Sequence, residues 1–331
     1  GAVLGSILAA LITGTLAITI FYFIFYRKRY GSEDDGLNIS RTLKTMLRYG
    51  LPLSVSAILG GFLSQFYSFL MVIYCSDSMI GNYSMALNFS MLITFFTIPI
   101  STVLFPAFSK LDSEREIETL RNVFQSSVKY ATLLTVPVTA VIMVLSEPLV
   151  FTLFAGSFSY APLFLTLIAV GYLYSGLGNL SLGNFLSGQG KTKVAMNLTL
   201  INMVIGLPLS LVLIPAFGIV GLIVTTLVAG IPSLALGLWW VKRNFGVAVD
   251  WASSTKIFLA SATAAAITYV IISQLTFHHW IKLVLGGIIF LATYFIAAPL
   301  VRAVDKNDIN NLREMLSDLG PFSHLFNLPL S

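Results

Sequence analysis

The chain is built from long apolar stretches without a Lys, Arg, Asp or Glu at their centres, and this feature limits its possible folds more than any other. A helix needs roughly 20 apolar residues to cross a bilayer core about 30 Å thick. In lipid the backbone polar groups must pair within the protein, which a helix achieves by itself. The sequence therefore predicts an all-α polytopic membrane helix bundle with about nine transmembrane helices. These spans cover approximately residues 2–26, 50–74, 80–105, 123–145, 162–186, 194–214, 218–240, 255–275 and 281–301.

The basic residues indicate how the bundle is oriented. All but one of the 19 Lys and Arg residues lie in or near alternate connections, the exception being Lys282. Because cytoplasmic loops retain Lys and Arg, the carboxyl end is predicted to be cytoplasmic and the first residue outside. Aromatic residues near the span ends, such as Tyr83 and Trp280, fit an interfacial belt on the outer side. We expect a multi-pass protein of the cell (plasma) membrane.

Composition excludes several classes of function. Hydrophobic residues make up 56% of the chain and charged residues 10%, whereas soluble proteins have about 25% charged residues. The formal net charge of +5 comes from short scattered clusters, so no nucleic-acid partner is predicted. One cysteine, Cys75, forms no intrachain disulfide, and no Cys/His set has zinc-site spacing. We therefore predict no metal, no cofactor and no catalytic residue.

The pentapeptide GLPLS occurs twice, and the position of its proline differs between the copies. Pro52 falls at the start of the second span, where a missing amide hydrogen costs little, so it is interpreted as a helix start. Pro208 falls inside the sixth span, where proline bends a helix. Pro99, Pro137 and Pro232 are likewise interior, so four kinked helices are predicted. Such a bundle is suited to movement, although prolines are also simply common in membrane helices.

Six of the amide side chains within the spans form the most informative polar set. An amide in hydrocarbon needs a partner, so each should face another helix or a wet cavity. If their faces converge, they line a polar, uncharged cavity that suits sugar hydroxyl groups. Hydrogen bonds between helices are the alternative. The candidate cavity residues are Gln65, Asn88, Asn179, Asn184, Asn197 and Asn202.

Two short motifs have local interpretations. Asn82-Tyr-Ser84 matches the N-glycosylation pattern at an outer edge, a pattern that also occurs by chance. GQGK, residues 188–191, lacks Walker spacing and follows a membrane span rather than a strand. We therefore expect GQGK to be a tight cytoplasmic turn.

Several phrases in a fixed order resemble one family. They are RYGLPLSVSAIL, then SMIGNYSMALNFSMLITFFTIPISTVLFPAFSKL, then VKYATLLTVPVTAVIMVLSEPLVFTLFAGSFSYAP, then NFLSGQGKTKVAMNLTLINMVIGLPLS. The order, the loop lengths and the alternating charge resemble polysaccharide flippases (O-antigen type) of the multidrug/oligosaccharidyl-lipid/polysaccharide (MOP) exporter superfamily. The match covers most of residues 45–243.

This resemblance implies an architecture of two six-helix lobes that face one central cavity. About five helices at the amino end have no counterpart, which implies an amino-terminally truncated relative. The implied divisions are the last helix of the first lobe (1–30), a cytoplasmic linker (31–44), the six-helix second lobe (45–243), two additional transmembrane helices (244–303) and a cytoplasmic amphipathic tail (304–331).

The resemblance also implies a function. A flippase of this kind moves a lipid-linked oligosaccharide across the membrane by alternating access, for cell-surface polysaccharide or lipopolysaccharide biosynthesis. The implied partners are that glycolipid, membrane lipid, and the missing first lobe or a second chain. The alternatives are a cation-coupled multidrug exporter of the same superfamily, a non-transporting scaffold, and a membrane-embedded enzyme, which would need catalytic His, Asp or Glu at a membrane face.

Overall fold

The computed structural model describes residues 2–26, 39–113 and 115–304, and the regular elements in these ranges are helices. The prediction of an all-α, multi-pass membrane protein is confirmed. The predicted tail lies outside the described residues from 305 onward, as does the linker up to residue 38. The elements are α1 (Ala2–Ile20), a π-helical segment (Phe21–Tyr26), α2 (Ile39–Tyr74), α3 (Asp77–Ser109), α4 (Ile117–Val144), α5 (Ser146–Phe154), α6 (Ala161–Tyr172), a 3-10 helix (Leu173–Leu177), α7 (Asn179–Gly188), α8 (Thr192–Phe245), α9 (Trp251–Gln274) and α10 (His279–Leu300).

The number of membrane spans differs from the predicted nine. Within the described ranges, six helices are long and apolar enough to cross a membrane, or up to seven if the bent pair 161–177 and 179–188 forms one span. The apolar stretch Leu11–Ile24 is shorter than these. Part of the difference lies in α8, a single element of 54 residues where the sequence predicts two spans. The count of nine stays a prediction.

Helix α8 folds back on itself at Gly218. This residue has φ 57° and ψ −130°, a conformation that glycine adopts without steric cost. A Cβ atom placed on Gly206 would lie 3.5 Å from Ala229 Cβ, and one on Gly237 would lie 2.8 Å from Leu198 Cδ1. Partner numbers fall as residue numbers rise, so the two arms, 192–217 and 219–245, pack antiparallel. The break lies where the sequence separates the sixth span from the seventh.

The prolines lie inside helices, and the interpretation of Pro52 is wrong. Helix α2 begins at Ile39, well before Pro52, because polar helix-forming residues extend it beyond the apolar stretch. The span length measures only the part in lipid. The other interior prolines lie in helices that continue past them, so their kinks stay predictions: Pro99 in α3, Pro137 in α4, and Pro208 and Pro232 in α8.

The chain divides into two compact units, Gly1–Arg48 and Tyr49–Ser331. In the first unit, hydroxyl groups of α1 bond to their own helix, as Thr13 Oγ1 does to the Ala9 carbonyl at 2.7 Å. The second unit contains most of the predicted six-helix lobe and the additional helix pair. The division near residue 48 lies close to the predicted start of the lobe at 45, but the domain boundaries stay predictions.

Three basic connections meet at one end of the second unit. Gln189 Nε2 in the GQGK turn donates to the Leu111 carbonyl at 3.0 Å, which joins the connections after α7 and α3. Arg121 Nε donates to the Phe245 carbonyl at 3.1 Å, and Lys191 Nζ lies 5.6 Å from the centre of the Phe245 ring. The connections after α3, α7 and α8 thus share one end, as alternating basic loops require. That this end is cytoplasmic stays a prediction.

Asn82 is a structural residue of the fold. Its side chain is buried, and Oδ1 accepts hydrogen bonds from the backbone N–H groups of Tyr160 and Ala161 at 2.9 and 3.0 Å. Its Nδ2 donates to the Ser78 carbonyl at 2.8 Å. Asn82 of α3 therefore satisfies the amino end of α6 from outside that helix. The glycosylation interpretation is wrong, because the side chain is buried and both its oxygen and its nitrogen are hydrogen-bonded within the fold.

We expect Asn82→Ala to lower the free energy of unfolding by about 1 to 2 kcal/mol, because a buried and a partly buried N–H group lose their acceptor. Unfolding in detergent, followed by tryptophan fluorescence, measures the difference. Asn88→Ala is the matched control, since Asn88 is exposed on the same helix, and it should change stability by less than about 0.5 kcal/mol. Equal effects of both variants would contradict the capping role.

Asp250 caps the amino end of α9. Its Oδ1 accepts from the Ala252 and Ser253 N–H groups at 3.1 and 3.3 Å, and Oδ2 accepts from the Ser253 hydroxyl at 2.5 Å. The Ser253 hydroxyl is the main cause that lowers the pKa of Asp250, and Lys129 lowers it further. A carboxyl group whose pKa is lower when folded stabilises the fold above its unfolded pKa of about 3.9 and loses that effect as the pH falls through the folded pKa.

Asp250→Ala should therefore destabilise the protein by about 1 kcal/mol at pH 7, and by less in acid. Unfolding of both proteins at pH 7 and near pH 3 tests this. An equal difference at the two pH values would show that the ionised carboxylate has no part in the cap.

Candidate functional site

A cavity of about 380 Å³ lies in the second unit, between α3, α6, α7 and both arms of α8. None of the described residues that line it is charged. Its wall is a mixture of apolar, amide and hydroxyl side chains. The lining residues are Tyr83, Leu87, Ile168, Gly171, Tyr174, Asn179, Asn202, Ile223, Thr226, Leu227, Gly230 and Ser233.

A break in the predicted fifth span forms one side of the cavity. Helix α6 tightens into the 3-10 segment, and Gly178 then takes φ 91° before α7 begins. The segments on either side of this break are bent by 56°. The φ angle favours glycine, and a Cβ atom on Gly178 would lie 3.1 Å from Val249 Cγ2, so the packing leaves little room for a side chain. As a result, Asn179 becomes the first residue of α7 and faces the cavity.

Close packing of Tyr174 on α8 forms another side. Gly230 lies beside the Tyr174 ring, since a Cβ atom placed on it would be 3.7 Å from the ring, an ordinary van der Waals distance. The Tyr174 hydroxyl donates to the Leu227 carbonyl at 3.0 Å. A Cβ atom on Gly171 would lie 3.3 Å from Leu227 Cδ2. The Tyr174 hydrogen bond and the close contact at Gly171 thus hold α6 and the 3-10 segment against the second arm of α8 at the cavity wall.

The hydroxyl groups in the wall are oriented by their own helix. Thr226 Oγ1 donates to the Ile223 carbonyl at 2.7 Å, and Ser233 Oγ donates to the Gly230 carbonyl at 3.0 Å. Their hydrogen atoms are used in these bonds, so the oxygen lone pairs remain to accept hydrogen bonds from a ligand.

The two amide side chains in the wall can donate hydrogen bonds as well as accept them. Asn179 is exposed and Asn202 is half-buried, and neither has a hydrogen-bond partner among the residues described. Each amide offers two N–H donors and a carbonyl acceptor. The wall can therefore both donate to and accept from a polar, uncharged ligand.

The structure brings two of the six predicted cavity residues together, Asn179 and Asn202. Asn184 instead donates to the Leu180 carbonyl at 2.9 Å and to Ser101 Oγ at 3.4 Å, so it connects α7 to α3. The remaining three, Gln65, Asn88 and Asn197, are exposed on α2, α3 and α8 and do not line this cavity.

Four polar lining residues were not predicted from the sequence: Tyr83, Tyr174, Thr226 and Ser233. The spacing of Thr226 and Ser233, seven residues apart on one helix, places them on one face and could have indicated them. Tyr83 lines the cavity, whereas the sequence suggested an interfacial position. Tyr174 had no signal of its own, since its position depends on the break at Gly178.

The chain is similar in sequence to known proteins. Residues 2–162 match the family described as "Polysaccharide biosynthesis protein". The probable low-salt glycan biosynthesis flippase Agl15 of Haloferax volcanii is 22% identical over 272 residues, which cover 81% of this chain and 57% of Agl15.

Solved structures of similar fold are also transporters by name. The lipid II flippase MurJ, in an inward closed conformation, has a TM-score of 0.60 at 18% identity, over 78% of this chain and 52% of MurJ. An outward-facing multidrug resistance MATE family transporter of the MOP superfamily has a TM-score of 0.56 at 15% identity, over 86% of this chain and 68% of that protein. The chain has the fold of the MOP superfamily. The resemblance to polysaccharide flippases was expected from the sequence. It is confirmed by the family match, the similarity to Agl15 and the fold shared with MurJ and the MATE transporter.

The chain spans about half the length of the relatives that it matches, 57% of Agl15 and 52% of MurJ. These relatives are named as flippases and transporters, not enzymes.

Proposed function

We propose that this MOP-type chain provides one lobe of a flippase that moves a lipid-linked oligosaccharide across the cell membrane for surface polysaccharide biosynthesis. The observation that carries the proposal is the cavity, whose described lining carries no charge and includes two amides without a described partner, Asn179 and Asn202, beside accepting hydroxyl oxygens. Sugar hydroxyl groups both donate and accept hydrogen bonds, as these side chains do. The similarity to Agl15, a probable glycan biosynthesis flippase, supports this substrate class.

The proposed division of the substrate follows from the two surfaces of the lobe. The sugar head group occupies the polar cavity, and the lipid tail stays in the bilayer against the apolar outer surface. Alternating access requires two bodies that rock against each other around the site. A second lobe, on the same polypeptide or on another chain, therefore completes the cavity, and the carboxyl end lies in the cytoplasm.

A cation-coupled multidrug exporter is the second candidate, because a MATE transporter shares the fold. A site for an organic cation usually requires an acidic side chain or an aromatic cage. The described lining contains two tyrosines but no carboxylate. This composition favours a neutral saccharide over a cationic drug.

Deleting the gene from its host and measuring two activities in membrane vesicles tests the proposal. The flippase function predicts that the lipid-linked oligosaccharide accumulates on the cytoplasmic leaflet and becomes inaccessible to a membrane-impermeant periodate reagent outside. Efflux of a cationic fluorescent dye should not change. Loss of dye efflux with normal glycan exposure would identify a drug exporter, and no change in either would leave a scaffold.

A further inference from the structure

The buried face of α9 carries three unpaired hydroxyl groups in a line. Ser254, Ser261 and Thr268 are spaced seven residues apart, about two helical turns, so they share one face. Their exposed fractions are 2%, 1% and 0%. None of the three hydroxyl oxygens has a hydrogen-bond partner among the described residues. Unpaired polar groups at this degree of burial are rare in folded proteins.

The exposed face of the same helix shows that this is not a general property of its hydroxyl groups. Thr255 and Thr263 donate to the carbonyls four residues earlier at 2.7 and 2.8 Å, and Ser273 donates to the Val270 carbonyl at 2.9 Å. The three buried hydroxyls make no such bond to a described residue, and they lie on the buried side of a helix that packs against α4 and α10. Their hydrogen-bonding capacity is therefore available at the helix interface.

Both neighbouring helices add hydroxyl groups of the same kind. Thr135 on α4 and Tyr294 on α10 are buried, at 0% and 8% exposure, and their hydroxyl oxygens also lack a described partner. On α4, Thr132 and Thr139 instead donate to the backbone of their own helix, at 2.6 and 2.7 Å. Thr135 thus differs from its neighbours in the same way as the three residues of α9.

Contacts between the helices show that these hydroxyl groups lie at similar heights along α4, α9 and α10. Thr132 of α4 and Phe258 of α9 both lie within 3.2 Å of a Cβ atom placed on Gly176, so these two residues are at the same height along their helices. The two helices start from the same end of the unit, and Thr135 and Ser261 each lie three residues further along. On the other side, Ile272 Cγ1 would lie 3.3 Å from a Cβ atom on Gly286, which fixes the antiparallel register of α9 and α10. This register places Tyr294 between the levels of Ser261 and Thr268.

The interface also has small side chains and a further acceptor. Ala260 and Ala264 of α9 and Ala298 of α10 belong to the same buried cluster, and their methyl groups fill little space. Leu133 lies in this cluster, and its carbonyl cannot receive the usual helical hydrogen bond because Pro137 has no N–H group. In membrane helices, ordered water is one of the groups that satisfies such a carbonyl.

We propose that ordered water molecules occupy the α9 seam, defined as the interface formed by Ser254, Ser261 and Thr268 with Thr135 and Tyr294. A buried water typically makes two to four hydrogen bonds to protein groups, and it can donate and accept. It can therefore pair several hydroxyls that do not pair with each other. The α9 seam is a hydration site distinct from the cavity, since the two share no lining residue.

Radiolytic hydroxyl-radical labelling of the purified protein tests the proposal directly. Radicals formed from a bound water oxidise the side chains beside it even when they are buried. Tyr294 should be labelled several times faster than Phe290, which stacks on it with ring centres 6.2 Å apart and is also buried. Labelling of Tyr294 no faster than that of Phe290 overturns the proposal.

Thermal unfolding gives a second readout, because removing a hydroxyl should change Tm in opposite directions depending on whether the α9 seam contains water. If water bridges the groups, Ser261→Ala and Thr135→Val each remove a partner and should lower Tm by about 2 to 4 °C. The double variant should lower it by less than the sum, because the two groups share water. In a dry seam, removing an unpaired hydroxyl leaves Tm unchanged or raises it, and this result overturns the proposal. Thr263→Val is the control on the exposed face of α9 and should shift Tm little.

Discussion

Replacing Asn179 and Asn202 together by leucine should lower the rate of glycolipid flipping about 10- to 100-fold. Leucine has a similar branched shape but no polar atoms, so the sugar would lose several hydrogen bonds of about 0.5 to 1.5 kcal/mol each. A loss of 1.4 kcal/mol corresponds to a factor of ten. The measurement uses vesicles from cells that carry the variant at the native locus, with the leaflet assay described above.

Asn197→Leu is the matched control for this prediction. Asn197 lies on the same helix as Asn202 but is exposed and does not line the cavity. The control should insert and flip glycolipid normally, with protein levels equal to those of the double variant. If the double variant flips as fast as this control, the cavity residues are not the sugar site.

Gly221→Ala should have the largest effect on stability, about 3 kcal/mol or more. A Cβ atom on Gly221 would overlap the backbone carbonyl of Leu213, which cannot rotate aside as a side chain can. This contact lies beside the fold-back at Gly218, so relieving it would separate the two arms of α8. Loss of the second arm would also disrupt the cavity, because Thr226 and Ser233 lie on it.

Thermal unfolding in detergent, with size-exclusion chromatography to detect loss of the folded protein, measures this effect. Gly287→Ala is the matched control, since a Cβ atom there would have no neighbour within 4 Å. The control should be neutral or slightly stabilising, because alanine favours the helical state relative to glycine. Equal stability of both variants would contradict the packing of the two arms at Gly221.

The helical class and the helix positions could be predicted because lipid imposes them. Apolar length and the distribution of Lys and Arg respond to the bilayer, and both are visible along the chain. Polar extensions outside lipid are not constrained in this way, so the start of α2 at Ile39 could not be predicted from the apolar span. The assumption that Pro52 begins a helix was wrong for the same reason.

The shape of the cavity was less predictable because it depends on backbone breaks. The sequence suggested proline kinks, whereas the left-handed glycines at the helix breaks are Gly178 and Gly218. Glycine is common in membrane helices, so composition does not distinguish a helical glycine from a break. Asn179 was identified as a polar residue in an apolar run, but its place at a helix start depends on the conformation of Gly178. Tyr174 and Tyr83 reach the cavity only through tertiary packing.

Protection of the cavity by substrate tests the central proposal most directly. Single cysteines are introduced by Asn179→Cys, Asn202→Cys and Asn197→Cys, each in a Cys75→Ala background, and are labelled in membranes with a water-soluble maleimide. Lipid-linked oligosaccharide should slow labelling at positions 179 and 202 and leave position 197 unchanged. If saturating glycolipid leaves the labelling rate unchanged at each of the three positions, in membranes that still flip it, the result would contradict the proposal that the sugar passes through this cavity.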